Sequence, residues 1–430
     1  MNKLKDYKID IFTLPYYIFA LVVVLVGTFL DRVPGLGFCG GFALCTIFGI
    51  LLCWIGDHLP IVRSYLGGGA FVALFGGALI AYFNVFPEKT GTLVTDFVKS
   101  YDYLGFFVSA LICGSILAMD RDLLIRAGVR YFIPVFAGII GAFLFTGVVA
   151  QIGGFGWREG ILFIATPIMG GGTAAGAVPM SATYEAGLSQ SADYYLSIMM
   201  PAVVLGNAAA IVFAGLLNSL GKKFPKWTGN GKIMPAHGSF QPKEIVEPEI
   251  DLVGMGRGFV FAGCFFIIGR IIQNFIPSIH YYAWTIIAAA VANIFKLAPQ
   301  QMKDDCRQWY NFLTKFCVPA VLFSIGYVYT NMSVIIENFN GLYLAMVLAT
   351  LLGCTVFTLI VSKLVGFYPI DGAITSGLCM ANMGGSGDVA TLGAAERMEL
   401  IPFAQISSRI GGAIIIILAS ILCPLIGKGL

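Results

Sequence analysis

The sequence has little charge, few histidines and no motif of the kind that enzyme active sites carry. Only 11% of its 430 residues are charged, whereas soluble domains average about 25%. Its three histidines have no metal-ligating partner at a useful spacing, and its ten cysteines include no C-x-x-C pair. The glycine-rich stretch GGGTAAG lacks the lysine of a P-loop, and no pattern pairs a nucleophile with a base. These absences argue against a soluble enzyme and a His/Cys metal site, and the net charge of +3 gives no sign of a nucleic-acid partner.

Long apolar stretches are the main feature that is present. Hydrophobic residues make up 58% of the chain, and long uncharged runs recur, among them 64–87, 131–156, 160–184, 194–221 and 338–362. Each is long enough to cross a hydrocarbon core about 30 Å thick as a helix. The sequence therefore predicts an all-α polytopic membrane protein with about eleven transmembrane helices. The expected helices are 14–30, 37–56, 68–86, 103–119, 130–151, 194–218, 254–276, 281–298, 311–330, 341–365 and 402–426.

Two further apolar stretches, 160–182 and 370–395, are interrupted by glycine clusters. The clusters are MGGGTAAG at 169–176 and MGGSGD at 383–388. Glycine inside a helix costs about 1 kcal/mol relative to alanine. Irregular backbone at membrane depth is tolerated only where protein or a wet cavity surrounds it. We therefore expect two re-entrant hairpins, each entering and leaving on the same side.

A polar stretch at 221–253 divides the chain into two halves. An extra helix occupies 1–35, the first repeat is 36–220 with its hairpin, 221–253 is the linker, and the second repeat is 254–430. Each half has five helices with its broken stretch between the last two, and five is odd, so the second repeat is expected to be inverted. The hairpin tips would then meet near the middle of the membrane. Such inverted repeats are typical of secondary transporters.

The distribution of positive charge predicts the orientation. With a cytoplasmic N-terminus, most of the 26 lysines and arginines, Arg397 among them, fall on the cytoplasmic side, as does the linker. The C-terminus is then outside. Two arginines, Arg270 and Arg409, remain within predicted spans. Arg270 lies near a helix end, from which it can reach the interface.

Arg409 is the strongest candidate for substrate binding. It lies in AQISSRIGGA in the last predicted helix, and its guanidinium can hold a carboxylate by two parallel hydrogen bonds. The hairpin tips offer backbone N–H groups to an anion. The alternative is that Arg409 forms a structural ion pair with Asp388.

Other polar residues of the hairpins are candidates for an ion or a hydroxyl group. Asn382, Ser386 and Asp388 offer oxygen atoms to sodium, or else they satisfy only the hairpin's own backbone. Thr173 and Ser386 are expected to reach a substrate hydroxyl. Acidic residues at the hairpin ends are expected to be surface charges: Glu185, Asp371 and Glu396.

The motifs PIMGGGTAAGAVPMSATY (167–184), ITSGLCMANMGGSGDVATLGAAERM (374–398) and AQISSRIGG (404–412) resemble the 2-hydroxycarboxylate transporter family, which includes bacterial citrate/sodium and malate transporters. The resemblance implies a homodimer in the bacterial inner membrane, with a scaffold domain and a transport domain that moves like an elevator. It implies no cofactor beyond a coupling ion. The substrate residues that it implies are Thr173, Ala174, Tyr329, Gly385, Ser386 and Arg409. The sodium residues are Cys379, Met380, Asn382, Ser386 and Asp388.

One departure from the citrate/sodium members bears on the substrate. Those members resemble this chain but carry arginine where it has Met383, and Gly-Gly-Asn-Gly where it has Gly172-Thr173-Ala174. With one arginine left, the site should favour a dicarboxylate, so malate is preferred to citrate. Sodium and protons both remain open as coupling ions. Alternatives are a citrate/sodium symporter, a membrane subunit of a sodium-pumping decarboxylase and a carboxylate sensor, although no sizeable output domain is present.

Overall fold

The computed structural model describes residues 7–60, 62, 68–117, 121–234, 251–277, 280–338, 340–384 and 386–427. This part of the chain is nearly all helical. A two-stranded antiparallel ribbon near the N-terminus pairs Lys8–Ile9 with Phe12–Thr13. Six helices among the described residues are long and apolar enough to cross a membrane, or seven if one bent pair is a single span. The chain is therefore a multi-pass membrane protein.

The helices follow the predicted apolar stretches closely. The long apolar ones are Pro34–His58, Arg130–Ile152, Ala192–Lys223, Leu252–Phe275, Gly341–Leu364 and Phe403–Ile426. Arg130–Ile152 is part of a longer helix, Arg121–Ile152. Shorter apolar helices are Leu14–Phe29, Gly69–Tyr82, Tyr103–Ile112 with its wider last turn Cys113–Leu117, Tyr281–Ile294 and Val318–Tyr329.

Two amphipathic helices, Glu88–Lys99 and Gln300–Phe316, were not predicted. Each carries a polar face, so neither forms a continuous apolar run in the sequence. The prediction of a single helix over 311–330 is also wrong. Gln300–Phe316 and Val318–Tyr329 form an angle of 61° at Cys317. Pro319 is the second residue of the later helix, and its missing N–H and its ring oppose continuation from the preceding turn.

The same order of elements recurs in the two halves of the chain. Each half has a long helix, a short one, an amphipathic one, another short one, a long one, a broken segment and a last helix. Two turns recur as well. Asn84 and Lys296 have φ of 50° and 57° after the first short helices, and Gly154 and Gly366 have φ of 78° and 81° after the second long ones. Both pairs are separated by the same number of residues, as two copies of one unit would be.

The broken segments are helix, turn and helix. The first runs over 157–187, with its break at 170–172, and the second over 369–394, with the described part of its break at 379–384. The two breaks are in contact, as predicted. Gly171 and Gly172 have φ of 78° and 109°, and a Cβ on Gly172 would lie 2.9 Å from the carbonyl oxygen of Met383. Only glycine suits a backbone that is both left-handed and this close to its neighbour.

The helices form two groups that face each other. The hairpin bundle comprises both broken segments with Arg121–Ile152, Ala192–Lys223, Gly341–Leu364 and the last helix, 401–426. Within it Thr146 and Thr350 share a 2.7 Å hydrogen bond between their hydroxyls, the kind of interhelical contact that membrane bundles use. The companion bundle comprises the helices of 37–117 and 252–329.

Candidate functional site

A cavity of about 420 Å³ lies between the hairpin bundle and the companion bundle. The hairpin bundle contributes both breaks and one face of the last helix, and the companion bundle contributes mainly apolar side chains. Arg409 is the one charged residue among the described lining residues. The polar side chains that accompany it are Thr173, Tyr310, Thr314, Gln405 and Ser408. A mostly apolar cavity with one cation and no acid suits an organic anion.

The Arg409 guanidinium is available to an anion. It lies on a wide turn, Ser407–Gly411, of the last helix. Its Nη2 donates to the Tyr310 hydroxyl at 3.4 Å, and its Cζ lies 5.3 Å from the centre of the Tyr310 ring. No carboxylate lies within ion-pair distance of it in the described part of the chain. The alternative of a direct Arg409–Asp388 ion pair is therefore wrong for this structure.

Asp388 is buried and its hydrogen-bond partners are uncharged. The residue is 2% exposed. Asn382 Nδ2 donates to one carboxylate oxygen at 3.1 Å, and the Ser408 hydroxyl donates to the other at 2.9 Å. A buried carboxylate without a cation is costly, so this place can hold a positive ion. Ser408 was missed in the sequence, although it directly precedes Arg409 in the ISSR motif.

The second break is fixed by side chains that turn towards its backbone. Asn382 Oδ1 accepts a hydrogen bond from Gly384 N at 2.7 Å, and Asn207 Oδ1 accepts one from Met383 N at 3.1 Å. Cys379 and Met380 are fully buried at the start of the break. Asn207, on a neighbouring helix, gave no signal in the sequence because a lone asparagine in an apolar run has many possible roles.

Thr173 presents an unused polar atom beside the cavity. The residue is 5% exposed, and its Oγ1 has no hydrogen-bond partner among the described residues. Leaving a buried hydroxyl unsatisfied costs about 1–3 kcal/mol. The helix that starts at Thr173 also leaves its first N–H groups without partners in the helix. A ligand with oxygen atoms would satisfy both.

The remaining predicted residues divide into three groups. Met383 lines the cavity. Tyr329 is not among the lining residues that the structure describes; its carbonyl accepts from Ser197 Oγ at 3.1 Å, and Lys99 Nζ lies 5.4 Å from its ring centre. Gly385 and the side chains of Ala174 and Ser386 lie outside the described part.

The environment of Arg270 differs from that of Arg409. It is exposed and stacks on Tyr281, with 3.9 Å between Cζ and the ring centre. It lines a separate, open cavity together with Asp102 and Asn274.

Asp371 is a correction to the sequence analysis, which expected a surface charge. It is 0% exposed. It accepts hydrogen bonds from Thr228 Oγ1 at 2.9 Å and from Gly229 N at 2.7 Å, and it pairs with Arg397 Nε at 3.3 Å. Arg397, counted among the cytoplasmic cations, is also buried. The two charges join the ends of the second broken segment, a long-range contact that local sequence does not reveal. Glu185 and Glu396 are exposed, as expected.

Comparison with known proteins identifies the family. The chain matches the profile of the 2-hydroxycarboxylate transporter family over residues 9–421. It belongs to this family. Three relatives are each 34% identical to the chain and cover 98% of it. They are the citrate transporter CitP of Leuconostoc mesenteroides and the citrate/sodium symporter of Salmonella typhimurium, each covered over 95% of its length, and the Na(+)-malate symporter of Bacillus subtilis, covered over 94%.

Membership of the 2-hydroxycarboxylate transporter family makes this protein a transporter and not an enzyme. It disfavours the alternative of a decarboxylase subunit, because the relatives are named as transporters or symporters. The chain is 34% identical both to these citrate carriers and to the Na(+)-malate symporter, so overall similarity does not decide between the two substrates.

Proposed function

We propose that this protein is a secondary active transporter that moves a 2-hydroxycarboxylate, malate in preference to citrate, together with sodium. The observation that carries the proposal is one pairing. Arg409 faces a largely apolar cavity, and the buried carboxylate of Asp388 lies beside it, and neither has an ion-pair partner among the described residues. Ser408, which donates a hydrogen bond to Asp388, directly precedes Arg409 in the last helix.

The preference for malate rests on charge. Arg409 matches one carboxylate of a substrate, and the N–H groups at the start of the Thr173 helix, with the Thr173 hydroxyl, match a second. Met383 occupies the cavity wall where a third carboxylate would need a cation. A trianion such as citrate is then left with one desolvated charge. Citrate remains the second candidate because relatives named as citrate carriers are equally similar.

The choice of sodium rests on oxygen atoms near Asp388. The ligands that we assign are Asn382 and Asp388 with backbone carbonyls around Cys379 and Met380, and we add Ser386 from the sequence alone, because its side chain lies outside the described part. Hard cations prefer such oxygen ligands. A proton on Asp388 would neutralise the same buried charge, and the experiment below separates the two ions.

The repeated order of elements supports a membrane arrangement. We assign eleven spans and two re-entrant hairpins in two inverted repeats, with the N-terminus in the cytoplasm of a bacterium and the C-terminus outside. The matched turns at Asn84 and Lys296, and at Gly154 and Gly366, support the repeat. A homodimer with a moving hairpin bundle completes this assignment. Single cysteines at the exposed Lys89 and Lys232, in a cysteine-free background, should react with an impermeant reagent from opposite sides.

Uptake by the purified chain in liposomes tests the function. Labelled malate and labelled citrate are supplied separately, and sodium and pH gradients are imposed one at a time. Malate uptake should follow the sodium gradient and exceed citrate uptake at equal concentration. Uptake driven only by the pH gradient would show that the coupling ion is a proton and not sodium. No uptake of either substrate by a folded chain would refute the proposal.

A further inference from the structure

Tyr310 approaches Arg409 from the opposite bundle. It lies in the helix Gln300–Phe316 of the companion bundle, whereas Arg409 belongs to the hairpin bundle. The Tyr310 hydroxyl accepts a hydrogen bond from Arg409 Nη2 at 3.4 Å. Nothing in the sequence pointed to Tyr310, because its helix reads as polar surface.

The position of Tyr310 is fixed by its own surroundings. Gly114, in the wide turn Cys113–Leu117, has no side chain and lies against Tyr310 Cβ, where any larger residue would overlap. One turn further on, Thr314 Oγ1 donates to the Tyr310 carbonyl at 2.8 Å. Tyr310 is half-buried and lines the cavity with Thr314. Its ring is thus held as part of the cavity wall.

Tyr329 lies at the other end of the same helix pair. Val318 and Leu322, early in the helix Val318–Tyr329, line the cavity. Tyr329 is seven residues beyond Leu322, which is about 10 Å along a helix. A substrate held by Arg409 in the present arrangement therefore lies beside Tyr310 and out of reach of Tyr329. Only a shift of the hairpin bundle along this helix would bring Arg409 to Tyr329.

We propose that Tyr310 is a substrate-positioning residue that acts while the site faces one side of the membrane, with Tyr329 as its counterpart on the other side. This inference rests on the proposed function. In this structure the Tyr310 hydroxyl accepts a hydrogen bond from Arg409 Nη2. When a carboxylate binds, it takes the Arg409 donors, and the Tyr310 hydroxyl turns to donate to it. The charge distribution along the chain places the Tyr310 end towards the cytoplasm.

Sided kinetics of hydroxyl-deletion variants test the proposal. Malate half-saturation is measured in right-side-out and inside-out vesicles for Tyr310→Phe, Tyr329→Phe and the control Tyr327→Phe. Tyr327 stacks on Phe86, with 5.6 Å between ring centres, and is not a lining residue. Tyr310→Phe should raise the ratio of the cytoplasmic to the external half-saturation constant by about threefold to tenfold, the size of one lost hydrogen bond. Tyr329→Phe should lower that ratio, and Tyr327→Phe should leave it unchanged.

A merely structural role for Tyr310 would change both half-saturation constants alike. An unchanged ratio in folded Tyr310→Phe protein would overturn the proposal. So would a ratio that shifts in the same direction for Tyr310→Phe and Tyr329→Phe.

A second measurement does not depend on transport. In a cysteine-free background, the double variant Tyr310→Cys, Arg409→Cys should be joined by a short bifunctional thiol reagent without substrate. If the unmodified chain takes up neither malate nor citrate and the pair is joined, the proposed function fails and the Tyr310 contact stands. If the cysteine-free parent transports malate and the pair is not joined, the Tyr310 inference fails and the proposed function stands.

Discussion

Glycine backbone alone forms the turn of the first broken segment, whereas polar side chains hold the turn of the second. Gly171 and Gly172 make the first turn with φ of 78° and 109°. Around the second turn, Asn382, Asp388 and Ser408 form a buried network. The first segment thus offers the cavity N–H groups and one hydroxyl, and the second offers oxygen atoms. Two segments at equivalent places in the chain are suited to opposite charges, an anionic substrate and a cation.

The contacts at the ends of the two segments also differ in polarity. In the first, the Tyr184 hydroxyl bonds Thr166 Oγ1 at 2.8 Å and the Leu162 carbonyl at 2.9 Å. In the second, the buried pair Asp371–Arg397 joins the ends. Neutral contacts can be lost singly at small cost, whereas breaking a buried ion pair leaves an uncompensated charge. The second segment should therefore be the more sensitive of the two.

The largest expected effect is on stability. Arg397→Ala leaves Asp371 buried without its cation and should destabilise the protein by about 3–5 kcal/mol. Tyr184→Phe, the matched change in the first segment, should cost only about 1 kcal/mol. Thermal unfolding in detergent measures both. Glu396→Ala is the control, because this neighbour of Arg397 is exposed, and it should unfold like the parent. Equal effects of Arg397→Ala and Tyr184→Phe would abolish the distinction between the segment ends.

The next effect concerns the turns themselves. Gly172→Ala places a Cβ 2.9 Å from the Met383 carbonyl oxygen at a φ of 109°, and backbone strain of this kind costs about 1–3 kcal/mol. Gly384→Ala meets its nearest neighbour at 3.4 Å with a φ of 62°. We expect Gly172→Ala to reduce the uptake rate far more than Gly384→Ala. A larger loss in Gly384→Ala would show that the second turn is the tighter one.

Ion dependence should respond to the second segment. Asp388→Asn removes the formal charge at the proposed cation site and should raise the sodium concentration for half-maximal uptake by at least about tenfold, or 1.4 kcal/mol. Glu185→Gln removes an exposed carboxylate from the first segment and is the control. Uptake measured against sodium concentration decides the matter. An unchanged sodium dependence in Asp388→Asn would make Asp388 a structural residue.

Substrate affinity should respond to the first segment. Thr173→Val keeps the volume but removes the unsatisfied hydroxyl, so malate half-saturation should rise by about threefold to tenfold while sodium dependence stays unchanged. Thr183→Val is the matched control, because the Thr183 hydroxyl already donates to the Pro179 carbonyl at 2.8 Å. A shift in sodium dependence without a change in malate affinity would reverse the assigned roles of the two segments.

The smallest effect tests charge selection. Met383→Arg adds a cation to the cavity wall and should raise the ratio of citrate to malate affinity by about twofold to fivefold, because specificity is a difference of affinities. Competition for uptake at fixed pH measures the ratio. An unchanged or lowered ratio in a folded variant would remove the main support for malate.

The sequence by itself determined the class of protein and the place of the two breaks. Apolar runs of membrane length and paired glycine clusters are local signals, because span length and the cost of glycine within a helix depend on the residues of the segment itself. The predicted stretches 160–182 and 370–395 differ from the observed segments by only a few residues at each end. Arg409 could be selected for the same reason, since an arginine in an apolar run has few structural explanations.

Only the tertiary structure decided which side chains meet. Asn207 accepts a hydrogen bond from Met383 N within the second break, Ser408 donates to Asp388 in the helix that follows the break, and Tyr310 reaches Arg409 from the facing bundle. From the sequence, Asp371 was expected to be a surface charge. It is buried because Thr228 and Gly229 donate hydrogen bonds to its carboxylate and Arg397 forms an ion pair with it. Such contacts join residues far apart in the chain, and their energy depends on distance and burial. Neither quantity is a property of the local sequence.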